Sequence, residues 1–95
     1  MERRRLTKKE VAEGLGKLKG WSLKSAKLHR EYKFKDFKEA FAFMVAVAFI
    51  AESLDHHPDW ANVYNRVIIE LSTHDLGGIS TLDFEFAKRV NKFHT

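Results

Sequence analysis

Residues 59–71, DWANVYNRVIIEL, decide the fold. Trp60, Asn62 and Tyr64 alternate with Ala61 and Val63, which is the period-two pattern of a strand. Asn65-Arg66 then supplies a tight turn. Beyond it Val67, Ile69 and Leu71 point one way while Ile68 and Glu70 point the other. The stretch predicts an antiparallel hairpin with one face against a core. Upstream, Leu28, Arg30, Tyr32 and Phe34 alternate with Lys27, His29, Glu31 and Lys33, again a sheet with one wet face. A shorter strand over Trp21–Leu23 precedes that run, separated from it by a turn at Ser25-Ala26. His29 falls on the charged side and reads as a solvent-exposed strand residue.

Three helical stretches surround these strands. Thr7 with Glu10 forms a capping box, and Leu6 with Val11 a hydrophobic staple. Val11, Leu15 and Leu18 mark one face of the first helix, and Gly20 is placed to end it. Asp36 with Glu39 starts the second, whose body FKEAFAFMVAVAFIAESL is apolar around nearly its whole circumference. One small sheet cannot bury all of it, so residues 36–53 are expected to pack against a partner subunit as well. The third begins near Ser80 or Thr81 and carries Leu82, Phe86, Val90 and Phe93. The order α-β-β-α-β-β-α predicts an α+β fold: a four-stranded, mostly antiparallel sheet with helices packed on one face. Its 95 residues make one domain, 1–95.

Composition narrows the function classes. There is no cysteine, which removes disulfide frameworks, thiolate metal sites and cysteine nucleophiles. The start MERRRLTKKE has no apolar run typical of a secretory signal, and Ala40–Ala51 is too short to span a bilayer, so a cytoplasmic location is expected. The net charge of +4 permits nucleic-acid binding. The positive residues are spread among acids, however, and the cluster Arg3-Arg4-Arg5 reads more simply as a solvated, partly frayed terminus. No nucleic-acid partner is expected.

Between Glu52 and Asp83 lie three of the five histidines: His56, His57 and His74. Singly, a histidine is more often a packing or surface residue than a chemical one. Together, with unperturbed pKa values near neutrality, they suggest proton chemistry. His56 and His57 follow a helix end and His74 a strand end, where loops present functional groups. Pro58 biases His57 toward an extended conformation, so His56 and His57 face opposite ways. Neither alternate-strand nor i, i+4 histidine pairs occur, which argues against a metal centre. No serine stands in a nucleophile elbow. Gly77-Gly78 before a helix start reads as a turn rather than a phosphate cradle. Metal-free acid–base catalysis remains.

The chain resembles the pterin-4a-carbinolamine dehydratases. Glu52, three residues, His56-His57-Pro58, five residues, Tyr64, nine residues, His74, and then Asp83 reproduce that family's pattern. DHHPDW, NVYNRV and STHD resemble it as well. The resemblance implies dehydration of a 4a-hydroxytetrahydropterin to the quinonoid dihydropterin, with pterin as substrate and no cofactor or metal. It implies that His56, His57 and His74 line the site and share the acid and base roles. Pro58 and the segment Thr73, His74, Asp75, Leu76 would contact substrate. Trp60 either packs on the pterin or closes the core. Asp83 either orients a histidine or caps the last helix, Glu52 supports the site or ends its helix, and Tyr64 is mainly a strand packing residue. The resemblance further implies a homo-oligomer, dimer or tetramer, and offers an alternative function: binding a transcription regulator through the same oligomer-forming surface.

Overall fold

A computed structural model of the chain describes residues 2–94. Its elements run α1 (Lys8–Leu15), β1 (Ser22–Lys24), β2 (Lys27–Lys33), α2 (Phe37–Leu54), β3 (Asp59–Val63), β4 (Arg66–Leu71) and α3 (Thr81–Phe93), with a short 3-10 turn over His74–Leu76. The order is the expected α-β-β-α-β-β-α. The four strands form one sheet, β1-β2-β4-β3, every neighbouring pair antiparallel. Strands β2 and β3 therefore run parallel on either side of β4, and α2 makes the crossover between them.

Register sorts the two faces. Leu28 lies opposite Leu71, Arg30 opposite Ile69 and Tyr32 opposite Val67, and Trp60 and Asn62 continue this face on β3. Leu28, Tyr32, Val67, Ile69 and Leu71 are all buried beneath the helices. The other face carries His29 opposite Glu70. Their side chains pair at 2.9 Å and are only 15% and 26% exposed. His29 is thus a half-buried cross-strand partner and not the solvent residue expected, because a carboxylate stands directly across the ladder.

Local chemistry sets the boundaries. The capping box at Thr7 and Glu10 forms, and Asp36 caps α2 by accepting from the Glu39 amide. Helix α1 ends at Leu15 instead of running to Gly20: Gly16 closes it onto Ala12, and two further turns lead to Gly20 at φ 87°. Within α1, Gly14 is needed for close approach, since a Cβ there would lie 2.6 Å from the Phe84 ring of α3. Ser25 and Ala26 make the first hairpin turn, both at positive φ, the pattern of a type I′ turn. The second hairpin turns at Tyr64-Asn65, one residue earlier than the sequence suggests, with Tyr64 at φ 51° and exposed. Tyr64 is therefore a turn residue, not a packed strand residue.

Residues 2–6 are not frayed. Leu6 N–H donates to Ile79, Thr81 N–H to Arg4, and Arg5 bridges to Ser80. Arg4 pairs with Glu10, and that guanidinium holds the Glu10 carboxyl down to about 2.

One buried group lacks a partner among the described residues: the Tyr32 hydroxyl. The ring packs on Phe43 with centroids 4.6 Å apart, and Arg30 lies 4.4 Å over its face. Burial pushes the phenol up to about 12, only partly offset by Arg30. Between the unfolded value near 10 and that figure, the folded state keeps a proton the unfolded chain has lost, so stability falls as pH rises through this window. Tyr32→Phe removes a hydroxyl that contributes no hydrogen bond. Thermal unfolding should show a melting temperature equal to or above that of the parent at pH 8, and a shallower alkaline loss.

Candidate active site

Helix α2 delivers the first histidine. Its end is a Schellman motif: Asp55 sits in the left-handed region at φ 49°, its N–H reaching Glu52, while the His56 N–H reaches Ala51 at 3.0 Å. The chain is thereby turned inward at His56, which is 9% exposed and meets the edge of Phe86 at 6.3 Å between ring centroids. His57, next along, is 59% exposed in its side chain. The two histidines do face opposite ways.

The imidazole of His56 is anchored by Asp83, whose Oδ1 lies 2.5 Å from Nε2. Asp83 is the third residue of α3 and completely buried. Its other oxygen accepts from the Ser80 N–H at 2.8 Å and from the Thr73 hydroxyl at 2.9 Å. Thr73 has one proton and gives it to Asp83, so the Ser80 hydroxyl donates to Thr73 across 2.5 Å and accepts from the Leu82 N–H. The alternatives for Asp83 both hold: it caps α3 with one oxygen and orients His56 with the other. As a carboxylate it can only accept, which puts the proton of a neutral His56 on Nε2 and leaves Nδ1 as the basic nitrogen.

Through this network, the loop after α2 is tied to the loop after β4. Thr73 is followed directly by His74, which is exposed and opens the 3-10 turn. The turn is closed at its base by Thr73 N–H to Gly78 and Gly77 N–H to His74. His57 and His74 thus each follow, in sequence, a member of one buried hydrogen-bonded network. Among the described residues His74 makes no side-chain hydrogen bond. His57 Nε2 lies 2.6 Å from Glu52, so Glu52 does more than end its helix.

The remaining expected residues have varied positions. Thr73 is 1% exposed and its hydroxyl is committed to Asp83, so the side chain supports the site from beneath. Asp75 gives both oxygens to Arg3, at 3.0 and 2.9 Å, and the guanidinium holds its carboxyl below the usual range. Pro58 is half-buried, Leu76 likewise, and Trp60 packs partly buried against the core on the helix-covered face. Among the described residues no three His, Asp or Glu side chains converge to hold a metal ion. Ser80, Phe86 and Arg3 were not singled out for the site from sequence. The capping position of Ser80 was visible, but its link to Thr73 was not, and Arg3 lies 72 positions from its partner.

Residues 4–93 match the family model for pterin 4 alpha carbinolamine dehydratase. The chain belongs to that family. As a pterin-4-alpha-carbinolamine dehydratase family member, it falls among the hydro-lyases. A protein of Prochlorococcus marinus (strain MIT 9215), provisionally named pterin-4-alpha-carbinolamine dehydratase, is 52% identical over 87 residues, 92% of this chain and 91% of its own. One from Sulfurisphaera tokodaii with the same provisional name is 49% identical over 92 residues, covering 97% and 99%. The crystal structure of a transcriptional coactivator/pterin dehydratase from Brucella melitensis superposes with a TM-score of 0.91 at 44% identity, over 97% of this chain and 100% of that one. No helix of the described residues is long and apolar enough to cross a membrane.

Loss of Asp83 should be felt throughout. Asp83→Ala strands three donors in a fully buried spot, and such losses cost about 3 kcal/mol or more. Urea unfolding should show at least that loss, with a melting temperature lower by roughly 15 °C. Asp83→Asn, which keeps one acceptor oxygen, should lose less.

Proposed function

We propose that this protein dehydrates a 4a-hydroxytetrahydropterin to the quinonoid dihydropterin by histidine acid–base catalysis. The observation that carries this reading is the buried bond chain His56–Asp83–Thr73–Ser80, which fixes one imidazole in one tautomer and in which His56 and Thr73 are each followed in sequence by an exposed histidine. Membership of the dehydratase family supports the substrate. The reaction breaks the C4a–OH bond and removes a proton from a ring nitrogen. Water leaves, and the pair of electrons from nitrogen closes the new C=N bond. No electrons enter or leave, so the chemistry calls for no redox partner.

Asp83 holds the His56 ring and its tautomer, so that Nδ1 is the nitrogen that takes a proton. His56 accepts or relays the proton from the pterin nitrogen. His57, paired with Glu52, or His74 protonates the departing hydroxyl. Pro58 and Leu76 border the substrate. The expected result is acceleration of ultraviolet loss of enzymatically generated 4a-carbinolamine. His57→Ala and His74→Ala should each slow it, the acid between them by about 10²-fold or more. A wild-type protein that matches the spontaneous rate sinks the dehydratase reading. An unchanged rate in His74→Ala removes His74 from the mechanism and leaves the acid role to His57.

The second part of the reading concerns assembly. Helix α2 buries Ala40, Phe43, Val47 and Ala51 but leaves Phe37, Phe41, Val45 and Phe49 outside, with Phe49 73% exposed. These four repeat every fourth residue, so they form one apolar stripe along the helix. A second copy of the chain is its natural cover: burying four large side chains is worth about 1.5–3 kcal/mol each before the cost of association. Light scattering should find an oligomer at micromolar concentration. Phe49→Glu should dissociate it toward smaller species while histidine-dependent activity persists. A monomeric parent protein refutes the assembly.

A further inference from the structure

The run Arg3-Arg4-Arg5 has no role in the reading above, and the structure gives each arginine a separate internal task. Arg4 pairs with Glu10. Arg5 lies along Gly77-Gly78, where a Cβ on Gly78 would come within 3.3 Å of its guanidinium. Arg3 Nη2 donates to both oxygens of Asp75, the residue after His74. The backbone between them is fastened to the segment 79–81 by Leu6 to Ile79, Thr81 to Arg4, and Arg4 to the Thr81 hydroxyl, which itself donates to the Glu2 carbonyl at 2.6 Å.

We propose that residues 2–6 are a strap that holds the His74–Leu76 turn in its working place, with Arg3 a positioning residue acting on His74 through Asp75. This rests on the dehydratase reading. The backbone bonds of Thr73, Gly77 and Gly78 fix the base of the turn but leave its tip projecting into solvent. Among the described residues, the Arg3–Asp75 pair is the side-chain hydrogen bond that ties this tip to another part of the chain.

The pair is half-exposed on the Arg3 side and more so on the Asp75 side, so its leverage is that of an exposed ion pair. With the full chain, Arg3→Ala is expected to lower kcat roughly two- to five-fold, the equivalent of such a pair, while KM changes less. Arg3→Lys should recover most of the rate. In an Asp75→Ala background, Arg3→Ala should cost nothing more. Added salt should slow the parent toward the Arg3→Ala rate and leave that variant unaffected. Hydrogen exchange gives a readout independent of activity: the amides of Leu76 and Gly77 should exchange faster in Arg3→Ala, while those of Ile68–Leu71 in β4 stay as they were. Unchanged kcat in Arg3→Ala, independent losses in the double variant, or unchanged exchange at Leu76 and Gly77 overturns the proposal. Should the parent protein fail to accelerate dehydration at all, the dehydratase reading falls. The exchange data then decide the strap by themselves, faster exchange upholding it and unchanged exchange refuting it.

Discussion

A single carboxylate with no access to water governs this structure. Burying an ionised group is among the costliest things a fold can do unless every lone pair has a donor. Asp83 meets that condition with three: an imidazole from the end of α2, a hydroxyl from the end of β4, and the amide that opens its own helix. Each donor comes from a different element. The constraint therefore fixes where α2 stops, where β4 stops and where α3 starts relative to one another. The hydrophobic core beneath, with Phe86 and Val90 of α3 fully buried beside Val47 of α2, is what keeps water from offering alternatives.

The geometry of the site follows from the same constraint. A buried acceptor-only partner on Nε2 fixes the ring and the tautomer of His56, and the hydroxyl relay from Ser80 through Thr73 keeps that partner from turning away. His57 and His74 have no such shelter. They stand at the surface, so the three imidazoles divide into one sheltered and two exposed.

Much of this was legible in the sequence, for identifiable reasons. Strand alternation over 27–34 and 59–71 reports burial of one face, and burial is what the sheet register enforces. Capping boxes are local rules: the one at Thr7 appears as read, and the one at Ser80 forms as one of the two alternatives for Asp83. Where local rules compete, the sequence misleads. Gly20 looks like a helix end, but Gly14 and Gly16 come first, and close packing of Gly14 on Phe84 is a tertiary fact that no pattern within α1 reveals. Tyr64 continues the strand alternation by type, yet the pairing of Val63 with Arg66 leaves it in the turn. The site residues were legible as a motif, whereas their connections were not. That His56 and Asp83 touch depends on α2 and α3 packing together, and the Arg3–Asp75 pair on an extended segment folding back across most of the chain.

The Schellman ending of α2 has a mechanical side. His56 is the last residue whose amide is bonded to that helix, and its ring is bonded to the first turn of another. The imidazole is in effect a rivet through two rods. A shift or rotation of α2 against α3 must either carry the ring with it or break its bond to Asp83. Because the ring is held from within by Asp83 of the same chain, its alignment is set by the α2–α3 packing and not by the outer stripe of α2.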